Sequence, residues 1–525
     1  MPGTVADLIL EQLAQYGVGY IFGVIGDAIF PLADALSRQG RIRFVATTVE
    51  TAAAFMASNY AKLTGNLGVC LGTSGPGASN LLNGIGEAYR DGAPLLCLTG
   101  QVATGELGTD SNQDLKQNQL FSALTNDSRL CVNPKALIPI LTELVNQALS
   151  LKTAVHLSIP KDVLAAPADG SPIQPPPLIT GLNCSGSVQG DLNKVILNLR
   201  DARQPILVIG KTARDLAKEL LELADSAGIG IILALDNKGA VPDQHPLVLG
   251  GIGEAFLPGC LSEADLALLF GETVLEEKFF PPGTKFIRIQ SSIIPGKSQL
   301  DTIRGDLGKV ISKLKEEFSV RHIRQEWRNK LSEAHYELMM VDRAYQNQKH
   351  PIVFFRALSE AVSENAILSL DVGEFIYWFN PGFLAKTQQF LLSTYWRGMG
   401  GGIPAGIAAC LHQTQRQVIT IVGDGGLMMS LAELATVVSH NLPLTIVVLK
   451  NNRYGLEEQK MAKEGFTPFG LSVSVPDLPK LAAAFGLSFF QAQTPDAYHE
   501  KIRAALANTP ALVEVEVEPT KLPNL

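Results

Sequence analysis

The sequence predicts an α/β protein with three doubly wound domains, each a parallel sheet between layers of helices. The chain has 525 residues, too many for one hydrophobic core, which predicts roughly three domains of about 150 to 200 residues. Short apolar runs alternate with segments of helical periodicity, as they do in parallel sheets with helical crossovers. Hydrophobic residues make up 46% of the chain, so we expect all three domains to fold.

The domains are predicted in order along the chain. The first spans residues 1–165, with strands in GYIFGV, GVCLGT, PLLCLTG and AVHLSI. Residues 166–189 are rich in Pro, Gly and Ser, which is typical of a linker. A second domain spans 190–318, with strands in PILVIG, GIIL, ADLALLFG and KFIRI. A polar connecting helix is predicted over 319–350, and the third domain spans 351–525, with strands in AILSLDVG, QVITIVGDGG, PLTIVVLKNN and PALVEVEV.

Charge and cysteine content argue against several classes of protein. The formal net charge is −8 and no basic block is present, so a nucleic-acid surface is not expected. No leader segment and no apolar run of membrane-spanning length is predicted. The cysteines have no zinc-site spacing and are expected to be reduced, as in a cytoplasmic protein; they are Cys70, Cys97, Cys131, Cys184, Cys260 and Cys410.

Two nucleotide-binding motifs are almost matched. PILVIGKT ends like a P-loop, but Pro205 stands where the first glycine belongs. Gly400 to Ala405 fits GxGxxA by count, but no acidic strand end follows at the distance that holds a ribose. Both segments are typical of ordinary turns, and the second mismatch disfavours a nicotinamide-dependent dehydrogenase.

The clearest chemical signal lies in the third domain. Asp424 ends an apolar strand, a helical segment follows, and Asn451 ends the next strand. Because parallel strands joined by a helix end side by side, these two residues are expected to meet at one sheet edge. A carboxylate, an amide oxygen and a backbone carbonyl make a hard oxygen site that suits Mg²⁺ and leaves places for a phosphate. Gly425 and Gly426 open the helix, so their N–H groups are expected to face that anion.

The segment GDGGLMMSLAELATVVSHNLPLTIVVLKNN resembles the GDG…NN signature of thiamine diphosphate-dependent 2-oxo acid enzymes, in particular the pyruvate oxidase and acetolactate synthase branch. The similarity covers nearly the whole chain, in family order, through FGVIGDAIFPLADAL, VETAAAFMASNYAKLTG, GTSGPGASNLLNGIGEA, LTGQVATGELGTDSNQD, GAVPDQHPLVLGG and FGLSVSVPDLPKLAAAFG. It implies a pyrimidine-binding N-terminal domain, a central Rossmann-like domain and a C-terminal domain that binds the diphosphate and Mg²⁺.

The resemblance implies roles for individual residues. Glu50, in an apolar run, matches the glutamate that bonds the aminopyrimidine and promotes loss of the thiazolium C2 proton. Met399 matches the residue on which the cofactor bends, and Asp424, Asn451 and the Arg453 carbonyl match the metal ligands. The other expected cofactor contacts are Gly75, Pro76, Asp371, Gly373, Gly398, Gly425, Gly426, Tyr454 and Gly455.

In this family Glu50 and the loop Gly72–Gly77 come from the partner subunit, so one chain would hold half of each site. The resemblance therefore implies an obligate homodimer, assembled as a homotetramer, that acts on a small 2-oxo acid. The substrate side is expected to include Asp27, Gln113 and Glu457, the last as a candidate proton donor.

The implied reaction is decarboxylation of a pyruvate-like 2-oxo acid through a C2 ylide and an enamine, followed by release or transfer of the two-carbon or aldehyde unit. Three alternatives stay open: an FAD-dependent pyruvate oxidase, an acetolactate synthase-type carboligase, and a non-catalytic binding subunit. Joint retention of Glu50, Asp424 and Asn451 argues against the last.

A few residues bear on that choice. No histidine precedes His156, so the paired histidines of pyruvate decarboxylases are missing, and EEQK lacks the nearby tryptophan of acetolactate synthases. Gln290 to Lys297 lacks the acidic residues that follow this strand in many flavin-binding relatives, which leaves FAD open as a second cofactor. Arg397 stands where relatives commonly have Gly, so its side chain is expected to reshape the substrate side if it points there.

Overall fold

The computed structural model describes residues 3–175, 190–273, 277–291, 301–319, 324–345, 349–413 and 415–525. In these ranges the strands form three sheets, of six, five and six strands. All paired strands within them are parallel, which confirms the predicted α/β class. Most of the predicted linker, with Cys184, and residues 292–297 after the strand KFIRI lie outside the described ranges. No described helix combines the length and apolar character that crossing a membrane requires.

The N-terminal sheet has the strand order β2-β1-β3-β4-β6-β5. Its central strands β3 and β4 are buried along their whole length, as expected for apolar runs covered on both faces. The strands are β1 (Tyr20–Gly23), β2 (Arg43–Ala46), β3 (Gly68–Gly72), β4 (Leu95–Gln101), β5 (Ser128–Leu130) and β6 (Ala154–Pro160). The helices are α1 (Val5–Gln15), α2 (Phe30–Ser37), α3 (Glu50–Thr64), α4 (Pro76–Asn80), α5 (Leu82–Asp91), α6 (Gln117–Phe121), α7 (Leu137–Leu151) and α8 (Lys161–Ala165).

The central sheet has the order β11-β10-β9-β7-β8. Its strands are β7 (Pro205–Ile209), β8 (Gly230–Leu233), β9 (Leu266–Phe270), β10 (Lys285–Gln290) and β11 (Asp301–Arg304), and its helices are α9 (Leu192–Asp201), α10 (Ala217–Ala227) and α11 (Leu307–Glu317). Helix α12 (Gln325–Met340) lies in the predicted connecting segment. It packs Trp327, Leu331 and Ala334 into the core of this sheet, so its apolar face adds to the central unit.

The C-terminal sheet has the order β13-β12-β14-β15-β17-β16. Its strands are β12 (Ile367–Leu370), β13 (Gln389–Leu392), β14 (Val418–Gly423), β15 (Leu444–Lys450), β16 (Ser488–Ala492) and β17 (Ala511–Glu516). Its helices are α13 (Pro351–Ala361), α14 (Phe375–Gly382), α15 (Gly402–His412), α16 (Asp424–Ser430), α17 (Leu434–Ser439), α18 (Gly455–Lys463), α19 (Leu478–Phe485) and α20 (Pro495–Ala507).

The N-terminal and C-terminal units share one hydrophobic cluster, which contains residues of α3 and α15. Small residues let the two units approach closely: a Cβ on Gly401, just before α15, would lie 3.3 Å from the Phe55 ring on α3. Helix α3 is therefore buried between the two units, with Glu50 at its first turn and Lys62 at its last.

Candidate functional site

The carboxylate of Asp424 lies at the C-terminal end of β14, beside the end of β15. Strands β14 and β15 pair in register, with Gly423 opposite Leu449. The Asn451 N–H donates to Asp424 Oδ2 at 2.9 Å, the Asn452 N–H donates to the same oxygen, and the Gly425 N–H donates to Oδ1 at 2.8 Å. Burial raises the pKa of Asp424, and these N–H groups oppose the shift. The two strand ends thus meet as the topology predicts.

A cavity of about 90 Å³ opens beside this carboxylate. Within the described ranges, the expected site residues that line it are Gly373, Met399, Asp424, Gly425, Asn451, Arg453, Tyr454, Gly455 and Glu457. A Cβ on Gly425 would lie 2.5 Å from the Tyr454 ring and 3.2 Å from Met399 Cε. Glycine is therefore required for the helix start to approach these two side chains.

The donor set at this cavity suits a hard divalent cation. Asp424 offers a carboxylate, and Asn451 offers an amide oxygen that already accepts the Arg453 N–H at 3.2 Å. No group of three His, Cys, Asp or Glu side chains in the described part of the chain could hold a metal ion. A cation here would thus rely on mixed carboxylate, amide and carbonyl oxygens, the set that Mg²⁺ prefers.

Asp371, an expected cofactor contact, accepts hydrogen bonds from backbone N–H groups. It follows β12 and is fully buried, and it accepts the N–H of Val372 at 2.6 Å, of Gly400 at 3.0 Å and of Gly402 at 3.3 Å. Burial raises its pKa to about 6. Its oxygens bind the backbone around the start of α15, and among the described residues it does not line the 90 Å³ cavity. A Cβ on Gly426 would lie 2.7 Å from Asp371 Oδ2, so Gly426 also packs against this carboxylate.

Glu374 is a site residue that the sequence analysis missed. It lines the 90 Å³ cavity, and burial raises the pKa of its carboxyl group. Its Oε1 accepts a hydrogen bond from Thr520 Oγ1, whereas its buried Oε2 has no partner among the described residues. Gly455 makes room for it, since a Cβ there would lie 2.0 Å from Oε2. The signal available in the sequence was its position three residues after a strand-end aspartate, Asp371.

The loop before Met399 is held by the N-terminal unit. Asp91 accepts the N–H groups of residues 394–396 at 2.8 to 3.3 Å. Lys62 Nζ donates to Asp91 at 2.7 Å and to Glu87 at 2.8 Å, and all three side chains are at most 5% exposed. Burial alone would raise the pKa of Asp91, but Lys62 and the N–H groups keep it below its usual value. This buried cluster fixes the segment that leads into Gly398 and Met399.

A second cavity of about 370 Å³ lies between the central and C-terminal units. It is contiguous with the first, because Val372, Gly373, Leu456 and Glu457 line both. Its walls include apolar side chains of both units, among them Val208, Ile232, Leu233, Phe256, Phe279 and Ile376. Its charged lining residues are Asp236, Glu254, Arg397, Glu457 and Lys460.

The larger cavity also contains acceptor atoms without partners. Asp236 Oδ1, Thr273 Oγ1 and Asn380 Oδ1 are buried and form no hydrogen bond within the described part of the chain. A flat apolar ring with polar substituents, such as a flavin, fits walls of this polarity. Residues 292–297 belong to the segment that lacks the acidic residues of many flavin-binding relatives, and they lie outside the described residues.

Glu50 lies apart from the cavity beside Asp424. It starts α3 and is 8% exposed. Asn80 Nδ2 donates to its Oε2 at 3.0 Å, and a Cβ on Gly77 would lie 3.1 Å from its Oε1. The absence of a side chain at Gly77 keeps this second oxygen accessible from the loop. None of the described residues of the N-terminal unit lines the 90 Å³ cavity.

The remaining N-terminal residues gather around the same loop. Gly75 has a left-handed backbone (φ 62°) and precedes Pro76, which begins α4. A Cβ on Gly75 would lie 3.0 Å from Gln113 Cβ, so this loop packs directly on Gln113. Asp27 pairs with Lys161 at 2.6 Å, with its side chain 70% exposed. Within one chain, therefore, the expected site residues form two separate groups.

Parallel sheets with a carboxylate and an amide at adjacent strand ends, next to a glycine-opened helix, define a class of α/β proteins that bind ligands beyond the carboxyl ends of their strands. Three family models match this chain: the N-terminal thiamine pyrophosphate binding domain at residues 3–120, the central domain at 192–314 and the C-terminal thiamine pyrophosphate binding domain at 371–515.

Relatives match over almost the full length. A putative thiamine pyrophosphate-containing protein of Bacillus subtilis is 30% identical over 98% of this chain and 92% of its own length. A probable acetolactate synthase large subunit of Methanocaldococcus jannaschii is 30% identical over 98% of this chain and 92% of its own length. A pyruvate oxidase of Lactiplantibacillus plantarum is 27% identical over 97% of this chain and 88% of its own length. The chain belongs to the thiamine pyrophosphate enzyme family, in the branch similar to pyruvate oxidases and acetolactate synthases, and it is an enzyme that uses this cofactor.

Proposed function

We propose that this enzyme uses thiamine diphosphate and Mg²⁺ to decarboxylate a short, pyruvate-like 2-oxo acid, and then releases or transfers the remaining two-carbon or aldehyde unit. The observation that carries the proposal is the pairing of Asp424 with Asn451 at a cavity also lined by Met399. When bound, the cofactor supplies the carbon nucleophile that makes loss of CO₂ feasible.

The C-terminal unit would hold the diphosphate end of the cofactor. Asp424, Asn451 and the carbonyl of Arg453 would bind Mg²⁺, because all three supply hard oxygen ligands. Gly373 and Gly425 line the cavity that would hold the diphosphate, and Gly426 packs against Asp371 behind this wall. Met399 would orient the rings, because the Asp91 cluster fixes the loop that precedes it.

The N-terminal unit would serve the site of a second subunit. Glu50 would share a proton with a ring nitrogen of the cofactor, and Gly75, Pro76, Gln113 and Asp27 would surround the substrate. Support comes from the separation of these residues from the cavity beside Asp424 within one chain. We therefore propose a homodimer with shared sites. From the sequence predictions we further propose that the dimers assemble as a homotetramer in the cytoplasm, and that the domain boundaries are those predicted above.

Glu50→Gln tests the mechanism. The variant keeps a side chain of the same shape but cannot accept a proton, so we expect thiamine diphosphate binding to persist while turnover falls by about 100-fold or more. Binding is measured by titration calorimetry, and turnover by CO₂ release from pyruvate. Glu11→Gln, on the exposed face of α1, is the matched control. Unchanged turnover in Glu50→Gln would rule out the proposed role.

An FAD-dependent pyruvate oxidase is the second candidate. The cavity of about 370 Å³ next to the cofactor site favours it, as does the similarity to a protein named pyruvate oxidase. A visible flavin absorption band in the purified protein would favour the oxidase, or an acetolactate synthase-type enzyme if two pyruvates condense. Binding of thiamine diphosphate without turnover of any 2-oxo acid would instead indicate a non-catalytic subunit.

A further inference from the structure

Arg397 has a backbone conformation that is unfavourable for its residue type. Its φ is 55°, in the left-handed region, where a side chain raises the conformational free energy and glycine does not. The surrounding structure holds it there, since the Arg397 N–H donates to Ser393 Oγ at 2.8 Å. A non-glycine residue kept in this conformation beside a functional cavity points to a use for its side chain.

The Arg397 side chain lines the 370 Å³ cavity. Its only hydrogen bond to a described residue runs from Nε to the Thr394 carbonyl at 3.2 Å, and it forms no ion pair there. The two Nη groups therefore have no hydrogen-bond acceptor in the described part of the chain. Because a guanidinium presents donors in a fixed planar fork, these groups suit a carboxylate or a phosphate.

Most other charges in this cavity already have partners. Glu457 pairs with Lys460 at 3.1 Å, and Glu254 pairs with Lys278 at 3.4 Å. These two pairs leave little net charge on their side of the cavity.

The remaining lining acid is Asp236. Burial raises the pKa of its carboxyl group, and the positive charge of nearby Lys211 opposes that shift. Arg397 is left as the lining cation without a counter-charge among the described residues.

We propose that Arg397 binds a second anionic group on the substrate, so that the preferred substrates are short 2-oxo dicarboxylic acids. This inference rests on the proposed function, because the cavity adjoins the cofactor site through Val372, Gly373, Leu456 and Glu457. The cavity of about 370 Å³ also has more room than a pyruvate-sized acid requires.

The carboxylate that leaves as CO₂ is not the partner of Arg397. Its charge disappears during the reaction, so an ion pair with it would stabilise the substrate more than the transition state and slow the step. A second carboxylate keeps its charge throughout. An ion pair with that group is equally strong in both states, so it improves binding without raising the barrier.

The test compares two substrates of equal shape, 2-oxoglutarate and 2-oxoglutaramate, in which an amide replaces the distal carboxylate. We expect the native enzyme to prefer 2-oxoglutarate in kcat/KM by about tenfold or more. Arg397→Gly should lower kcat/KM for 2-oxoglutarate by about 10- to 100-fold, as expected for loss of a charge-assisted contact, and change that for the amide less than about threefold. The kcat/KM of Arg397→Lys for 2-oxoglutarate should lie between those of the native enzyme and Arg397→Gly.

Lys152→Gly is the matched control. Lys152 is also a cation with left-handed backbone (φ 50°), but it lies at the exposed C-terminal end of α7. The Lys152→Gly substitution should leave kcat/KM for both substrates unchanged. Equal losses for both substrates in Arg397→Gly, or a native enzyme that turns over pyruvate but does not prefer the dianion, would overturn the inference.

Calorimetric titration of the Mg²⁺- and cofactor-loaded protein with glutarate and glutaramate provides a second measurement. We expect glutarate to bind more tightly than the amide, and this difference to vanish in Arg397→Gly. If no 2-oxo acid releases CO₂ while this difference persists, the proposed function fails and the anion site stands. If CO₂ is released and glutarate binds equally to both proteins, the anion site fails and the proposed function stands.

Discussion

The first and last sheets of this enzyme have the same topology, and their strand ends differ in chemistry. Counted from the first strand of each, both have the order 2-1-3-4-6-5. The third strand ends in Gly72-Thr73 in one sheet and in Gly423-Asp424 in the other. Thr73 Oγ1 accepts one backbone N–H, from Ala28 at 3.2 Å, whereas the Asp424 carboxylate accepts three. The fold supplies equivalent positions, and single residues at the strand ends decide what each can bind.

The largest effect should come from removing the charge at this position. We expect Asp424→Asn to weaken Mg²⁺-dependent binding of thiamine diphosphate by about 100-fold or more, because an amide replaces the only carboxylate of the proposed ligand set. Thr73→Val, at the equivalent strand end, should leave the Mg²⁺ affinity within about threefold and cost about 1 kcal/mol of stability. Titration calorimetry measures the Mg²⁺ affinity of both variants, and urea unfolding measures the stability of Thr73→Val. Equal loss of Mg²⁺ affinity in the two would contradict the distinction between the sheets.

The next effect depends on the two sheets serving different sites. Glu50→Gln and Asp424→Asn should each be inactive alone, but a mixed dimer would contain one site with neither substitution. After unfolding and refolding of an equal mixture, about a quarter of the native activity should return, since half of the dimers are mixed and each has one intact site. Each variant refolded alone is the control. No recovery in the mixture would indicate that both residues belong to one chain's site.

A smaller effect distinguishes buried from exposed ion pairs. Asp91→Asn removes one partner of a Lys62 ammonium that is 5% exposed, so we expect a loss of about 3 kcal/mol in the free energy of unfolding. Lys161→Met breaks the pair with Asp27, whose side chain is 70% exposed, and should cost less than about 1 kcal/mol. Urea unfolding compares the two variants. Similar losses would mean that the Lys62 cluster does not hold the two units together.

The last effect is a pH dependence of stability, which is at most as large as that of the buried ion pair. The pKa of Asp371 is about 6 in the folded chain against a usual 3.8, so the folded state holds this proton more tightly than the unfolded state. The resulting stabilisation is full below pH 4 and is lost as pH rises to 6, at most about 3 kcal/mol. Asp371→Asn should remove this stabilisation. The free energy of unfolding in urea should therefore differ less between pH 4.5 and pH 7 in the variant than in the native protein. An unchanged difference would assign the pH dependence to other groups.

The sequence was most informative where function depends on neighbouring strands. The proximity of Asp424 and Asn451 follows from a strand, a helix and a parallel strand, which is local information. The environment of Glu374 was not predictable, because its partner Thr520 is distant in the chain and Gly455 lies on another element. The link between Lys62 and Asp91 was missed for the same reason, since a charged residue on a helix is ordinarily solvated.

Arg397 shows another limit of the sequence. Its departure from the usual glycine was readable, but its left-handed backbone and its position at the larger cavity depend on packing between two units. The role of Asp371 was likewise readable only in part. Its place after a strand was clear, but the N–H groups of Gly400 and Gly402 that surround it come from a distant segment.

The hydrogen bonds of Asp424 have a practical consequence for preparing the enzyme. Three backbone N–H groups already orient this carboxylate, and the Arg453 N–H already orients the Asn451 amide. The protein itself therefore sets the geometry of the pocket before anything enters it. Apoprotein from which a chelator has removed the metal should therefore stay folded in storage. It should regain the holoenzyme form when a Mg²⁺ salt and thiamine diphosphate are added, without a refolding step.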